Sequence, residues 1–507
     1  MNSIQRVHRF CSGRASRQPA AASKFIAAVV CSAVFASLAV CPGLAAPAKP
    51  ADAAHPIATA AADPVIAHAL AGVSAAHIRQ TISTLVDFHT RNTISSMDTD
   101  RPPNTGVTAA AKWIEQQFTQ ISDACHGCLE VKTDTFTEPA DSGPRSRIKV
   151  PTTITNVYAI LRGSDPAQAS RMYLVTGHYD SINSHVFRNW ADTSGDAPGA
   201  NDDASGTAVS IECARVLSRH RWPATIVFVA VAGEEEGLYG SKHLATLAKD
   251  EGWQLAGVLN NDIVGGDTTP GDTLQDKTRV RVFSQGIPAT ATPEEIKRTL
   301  ALGLESDGPS RELARVVAGV GRTYFHAGPT GFRPVLEFRL DRFLRGGDHL
   351  SFNQEGFAAI RFTEWRENFD HQHQDVRIEN GRQYGDLLKY VDFNYVANVA
   401  RLNAATLATL ASAPAAPEEV RIVTSNLDND STLRWKPGPG MPASAHFDIV
   451  WRDTPAPEWQ YHQPVPAGDA AKSSMTLPIS KDNVIFGVRA CNSAGQCSPA
   501  VAPLPER

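Results

Sequence analysis

The stretch TIVFVAVAGEEEGLYG, residues 225–240, runs from a block of apolar residues through Gly233 into three consecutive glutamates. Unbroken Ile, Val, Phe and Ala bounded by a glycine is the pattern of a buried strand that ends in a turn. One carboxylate is enough to serve the helix start that follows such a turn. Three of them make this strand end a place where negative charge has a further use.

Residues 154–161, 172–176 and 255–259 also read as strands, and residues 75–90, 109–121, 206–219 and 241–249 carry helical spacing. Strands separated by helices predict an α/β fold, a mixed β-sheet flanked by helices. Open α/β sheets place ligands outside the carboxyl ends of their strands, and that is where this sequence puts its acids. GHYDS (177–181) sets His178 and Asp180 on one face of an extended chain, where a carboxylate can orient an imidazole. Asp262 follows a strand directly, and GANDDASG (199–206) leads Asp202 and Asp203 into a helix. Each cluster alone is most simply a cap, a turn or a solvated group. Together they offer imidazole nitrogen and carboxylate oxygen with few thiols, which is zinc chemistry.

The chain has 507 residues, 42% of them hydrophobic, enough for one large cored domain and a smaller one. Residues 1–46 have the order of a secretory signal peptide: five basic residues without an acid, an apolar run over 25–40, then small residues for cleavage. An uncleaved membrane anchor is the alternative reading, but Ala/Pro-rich residues 47–74 look like a spacer and not a membrane flank. LAVC (38–41) resembles a lipoprotein acceptor site at Cys41, although Val40 is bulkier than the residue usual there. The expected mature chain is exported, periplasmic or extracellular, with no stable membrane insertion. Removing the leader takes the formal net charge from −5 to −10 and leaves no long basic patch, which excludes a nucleic-acid partner. Cys125 and Cys128 lack a second pair for a zinc site, so export favours a local disulfide; Cys491 and Cys497 are expected to close a short loop, and Cys213 reads as a core thiol. After an Ala/Pro/Ser-rich linker (408–417), residues 418–502 show short alternating segments around Trp435 that resemble a fibronectin type III domain. This predicts a small C-terminal β-sandwich with a stabilising role or a surface or protein contact.

GHYDS, GANDDASG, GEEEGLYGS (233–241) and GGDHLSF (346–352) resemble, in order, the motifs of the M28 metallopeptidases. That family includes secreted bacterial di-zinc aminopeptidases, and the peptidase domain is expected over residues 75–407. The resemblance implies a mixed sheet of about eight strands and two zinc ions per chain. It implies that His178 and Asp262 hold one zinc, that Asp180 orients His178, and that Asp202 bridges the pair. Glu235 and His349 would hold the other zinc, and Glu234 would be the general base. Glu236 is left over, expected at the pocket rim or in solvent. The implied activity is release of N-terminal residues from peptide substrates. A carboxypeptidase and a catalytically silent peptide- or surface-binding module are the alternatives. A bridged metal pair suits peptide hydrolysis because it activates water and stabilises the developing oxyanion, while an unligated glutamate moves the proton.

Residues 306–312 read as an ordinary helix start or part of the substrate rim. The charged run at 339–345 reads as solvated surface or as ion pairing that positions His349. FDHQHQD (369–375) reads as lining the cleft or as a surface loop, outside the five ligand positions. The interval between Asp262 and His349 is expected to cover the cleft.

Overall fold

In the computed structural model the described residues are 55–143, 146–325, 331–465 and 473–507. The expected leader, its cleavage site and Cys41 lie outside them. The described residues open with a two-residue strand β1 (His55–Pro56) and helices α1 (Pro64–Ala71), α2 (Ala75–Val86) and α3 (Val107–Ala124). Strands β2 (Leu129–Glu138), β3 (Thr152–Leu161) and β4 (Arg171–His178) follow, then α4 (Ala204–Leu217) and β5 (Thr225–Val231). Next come α5 (Glu234–Gly237), α6 (Tyr239–Asp250), β6 (Gln254–Asn261), β7 (Arg279–Ser284), α7 (Pro293–Leu302) and α8 (Pro309–Tyr324). The remainder of this region is β8 (Arg333–Glu337), α9 (His349–Gln354), β9 (Ala359–Glu364), the hairpin β10 (Arg377–Glu379) and β11 (Arg382–Tyr384), and α10 (Phe393–Ser412).

Eight strands form one mixed sheet in the order β2-β3-β5-β4-β6-β9-β7-β8. Its centre, β5, β4, β6 and β9, is parallel, so four carboxyl ends reach one edge. Strand β5 explains why its sequence lacks polar alternation. Ile226, Phe228 and Ala230 belong to the core cluster shared with α2, α3, α4 and α10, whereas Val227, Val229 and Val231 belong to the cluster under α6 and α9. A strand covered on both faces reads as a continuous apolar run. Truncating Phe228 to alanine would cost about 3–5 kcal/mol by the usual cavity and transfer terms. Gly233 ends the strand in the left-handed region at φ 74°, which favours glycine.

Residues 47–74 are not all spacer: α1 is capped by Asp63, whose carboxylate accepts from the N–H groups of Val65 and Ile66, and it buries Ile66, Ala69 and Leu70 in the core. The linker is also shorter than expected, because residues 408–412 are the last turn of α10. Beyond it lie β12 (Glu418–Val423), β13 (Ser431–Lys436), β14 (His446–Asp453), β15 (Tyr461–Val465), β16 (Ser474–Leu477), β17 (Val484–Cys491) and β18 (Leu504–Glu506). They make two four-stranded sheets, β16-β13-β12-β18 and β1-β15-β14-β17, around Leu433, Trp435, Phe447 and Val488.

This sandwich is tied to the domain of the eight-stranded sheet through charge. Arg452 pairs in a fork with Asp307 at 2.7 and 2.9 Å, Arg315 reaches Asp307 and Glu312, and the Trp459 indole N–H donates to Glu312. Residues 306–312 are thus the start of α8 and part of a domain junction. Disulfides join Cys125 to Cys128 and Cys491 to Cys497, and Cys213 is a buried free thiol. Among the described residues no helix is long and apolar enough to cross a membrane.

Candidate metal centre

Two groups of metal-capable donors meet at the carboxyl edge of the sheet: His178, Asp202 and Asp262, and Asp202, Glu235 and His373, each with donor atoms within 4.8 Å of one another. Asp202 is common to both, and its oxygens are divided between them. Oδ1 lies 3.1 Å from His178 Nε2, and Oδ2 lies 2.9 Å from His373 Nε2. Glu235 Oε1 is 3.0 Å from His373 Nε2, and Asp262 Oδ2 is 4.0 Å from His178 Nε2.

The donor atoms fit a cation. His178 Nε2 and Glu235 Oε1 are buried and, although a carboxylate and an imidazole lie within 3.1 Å, neither makes a well-directed hydrogen bond, which is costly unless something else satisfies them. The electrostatics agree. Burial raises the pKa of Glu235 and Glu234, and neighbouring carboxylates add to it. Burial alone would lower the pKa values of His178 and His373, but nearby carboxylates, Glu234 and Glu235 first, raise both. The donor set carries more negative charge than its own cations can balance.

Local geometry aims each donor. The His178 Nδ1–H faces the Asp180 carbonyl oxygen at 3.2 Å and its carboxylate at 3.3 Å, leaving Nε2 for the metal side. Asp180 Oδ2 accepts from Thr93 Oγ1 and from the Glu235 N–H, so one carboxylate fixes a residue from each donor group. The adjacent aspartates divide their work. Asp203 accepts from the backbone N–H groups of His178 and Gly206 and caps α4, while Asp202 is free to face the donors. Asp386 holds Asn201 and Asp202 by their N–H groups, and Gln372 donates to Asp202 Oδ2.

The expectation for His349 is corrected. Its ring is fully buried, its Nε2–H donates to the Leu340 carbonyl at 2.9 Å, and Asp341 lies 3.5 Å away. Burial lowers its pKa to about 4, against the pull of Asp341, so the ring is neutral. His373 takes the place expected of it. The reason is topological: β9 is a parallel neighbour of β6, and the loop bearing His373 follows its carboxyl end, whereas His349 starts the helix that precedes β9. Recognising residues 359–364 as a strand would have pointed to FDHQHQD.

GGDHLSF has a different task. Arg361 is fully buried; its Nη2 lies 2.7 Å from Asp262 Oδ1 and its Nη1 3.1 Å from Asp341 Oδ2, and it also donates to the Gly346 carbonyl. A Cβ on Gly347 would lie 2.6 Å from Arg361 Nη1 and 3.1 Å from Asp262 Oδ2, so glycine is required for this packing. The charged run at 339–345 therefore contributes buried pairing through Asp341 and Arg342, while Leu340, Phe343 and Leu344 are exposed.

Glu234 lies outside both donor groups, with Oε2 4.0 Å from His178 Nε2, and it lines the open cleft with Phe187, Trp190, Leu344 and Phe369. Among the described residues of the interval between Asp262 and His349, Arg342 and residues 344–346 line this cleft. The expectation that Glu236 is solvated is also overturned. It is 2% exposed, both its carboxylate oxygens lack partners, and burial together with Asp180 raises its pKa to about 8.

Histidine and carboxylate donors on the carboxyl edge of an α/β sheet, with an unligated carboxylate beside them, define a metallohydrolase. Residues 156–311 match the sequence profile of Peptidase family M28. The chain is 44% identical over 434 residues to a probable zinc metalloprotease of Leptosphaeria maculans, covering 85% of this chain and 95% of that relative. A probable zinc metalloprotease of Pyricularia oryzae is 44% identical over 444 residues, 86% of this chain and 84% of the relative. The chain belongs to the M28 peptidase family and is a zinc metalloprotease. Among solved structures it is similar to the LapA aminopeptidase of Legionella pneumophila (TM-score 0.45, 20% identity, 68% of this chain and 74% of that one). It is also similar to an aminopeptidase of Aneurinibacillus sp. strain AM-1 (TM-score 0.44, 16% identity, 68% and 95%).

Proposed function

We propose that the protein is a di-zinc aminopeptidase. His178 and Asp262 would hold one ion, Glu235 and His373 would hold the other, and Asp202 would serve both. The observation that carries the two-ion reading is the division of the Asp202 oxygens between two histidines, at 3.1 and 2.9 Å. The zinc pair supplies a Lewis acid for the scissile carbonyl and lowers the pKa of water.

The chain's own residues do the rest. Asp180 fixes the tautomer of His178. Glu234, unligated and reachable from the cleft, takes the proton of the attacking water and returns it to the leaving amine. Glu234 and the carboxylate-rich cleft floor suit the free α-ammonium of a peptide N-terminus. The C-terminal sandwich is read as a fibronectin type III-like module, and the chain as exported, to the periplasm or beyond. Two disulfides suit an oxidising compartment.

The test is zinc content together with turnover of matched free, N-blocked and C-blocked peptides. About two zinc ions per chain and cleavage only of free N-termini are expected. Release of C-terminal residues from N-blocked peptides would replace this reading with a carboxypeptidase, and full zinc loading without turnover of any peptide would leave only a binding module.

A further inference from the structure

Three arginines line the cleft, and two of them are committed elsewhere. Arg342 and Arg345 pair with Glu367 at 2.7 and 2.8 Å. Arg147 is different. It is exposed, its guanidinium stacks over Trp190 at 4.6 Å, and one N–H donates to the backbone carbonyl of Glu235. Among the described residues its contacts are this carbonyl and this ring, with no carboxylate partner. A guanidinium has five N–H donors in a planar fork, and stacking on an aromatic ring leaves its edge available for a carboxylate. Holding an arginine in place by a carbonyl and a ring also removes part of the ordering cost of binding.

The location narrows what it can bind. Arg147 is hydrogen-bonded to the backbone of a residue whose side chain belongs to the donor set, so its charge lies close to the metals. An extended peptide advances about 3.5 Å per residue, so such a charge is met one or two residues beyond the bond that is cut.

We propose that Arg147 is a specificity-determining residue that binds a substrate carboxylate one or two residues past the scissile bond. The carboxylate is either the C-terminus of a di- or tripeptide or an acidic side chain at that position. Phe187 and Trp190 beside it, ring centroids 6.1 Å apart, form an apolar wall along the intervening side chain. This assignment rests on the aminopeptidase reading above, because it takes the substrate's N-terminus to lie on the acidic floor.

The experiment uses the zinc-loaded protein and its Arg147→Gln and Arg147→Lys variants. Substrates are tripeptides with a free C-terminus, the same tripeptides as C-terminal amides, and amides carrying aspartate at the second or third position. Released N-terminal residue and zinc content are measured for each. The expected result is that the natural protein prefers a carboxylate-bearing substrate over the plain amide by about tenfold in kcat/KM, mostly through KM. Arg147→Gln brings that ratio near one, and Arg147→Lys keeps part of it. Preference for the free acid identifies a C-terminal carboxylate, and preference for the aspartyl amide identifies a side chain. If Arg147→Gln slows all substrates equally, or if the natural protein shows no preference, the residue only supports Glu235 and the proposal is overturned. If no N-terminal residue is released from any substrate, the aminopeptidase reading falls first and takes this assignment with it.

Discussion

Replacing Arg361 with methionine tests whether the metal seat depends on a buried counter-charge. In the structure this one side chain neutralises the outer oxygen of Asp262 at 2.7 Å and shares Asp341 at 3.1 Å with the neutral His349 ring. Burial alone would lower the arginine's pKa, but Asp262 and Asp341 hold it above its ordinary value; Asp341, which burial would raise, is pulled below its own by Arg361. Methionine fills similar space, leaves the buried Asp262 carboxylate without its cation and leaves Asp341 with Arg342 alone. Breaking a buried pair from one side costs about 3–5 kcal/mol. Part of that cost is relieved if Asp262 binds a proton, but a protonated Asp262 is a poor zinc ligand. Loss of the partner that orients a ligand usually weakens metal affinity about 10–100-fold, or about 1.4–2.7 kcal/mol. The metal-free variant is therefore expected to unfold at lower denaturant by an amount equivalent to about 3–5 kcal/mol. In a chelator titration it should lose one zinc about 10–100-fold more readily and keep the other. Arg361→Lys should recover charge without the fork and fall between the two. If Arg361→Met keeps both ions at unchanged affinity, the ion pair does not position Asp262 and the role given to the GGDHLSF segment is wrong.

Three other outcomes follow from the same geometry. Glu234→Gln should keep its zinc content yet lose about 10²–10⁴-fold in kcat; loss of an ion instead would make Glu234 a ligand. His373→Ala should lose one zinc, whereas His349→Leu should retain both, with equilibrium dialysis as the readout; the reverse pattern would restore His349 to the metal. The pKa of His349, lowered by burial to about 4 from an ordinary 6.5, gives the sign of an acid effect. Between these values the unfolded chain binds the extra proton, so stability is fully present above about pH 6.5 and falls as pH drops toward 4, by about 3 kcal/mol. Denaturant midpoints of the metal-free protein across that range should show the loss, and His349→Leu should flatten it.

Strand β5 and its glutamate turn were legible because burial on both faces leaves a pattern no surface segment imitates. His178, Asp180, Asp202, Glu235 and Asp262 were legible because each sits at the end of a recognisable strand or the start of a helix. His349 looks like a ligand because it stands in a family-like motif, whereas the work of that motif is to seat Arg361 beside Asp262. Arg361 lies 99 positions from Asp262 in sequence; the two meet through the neighbouring strands β6 and β9, a pairing that no local pattern encodes. Glu236 is hard to read for a similar reason: Asp180, whose charge adds to the effect of burial on its carboxyl, arrives from a distant part of the chain. The domain junction was hidden too, since Asp307 and Arg452 are 145 positions apart and each looks like surface charge alone.

The most direct test of the metal centre is a crystal of the zinc-loaded protein measured at the zinc absorption edge. The account predicts two anomalous peaks about 3.5–4 Å apart, with Asp202 between them, His178 and Asp262 on one and Glu235 and His373 on the other. A single peak, or a peak ligated by His349, would contradict it.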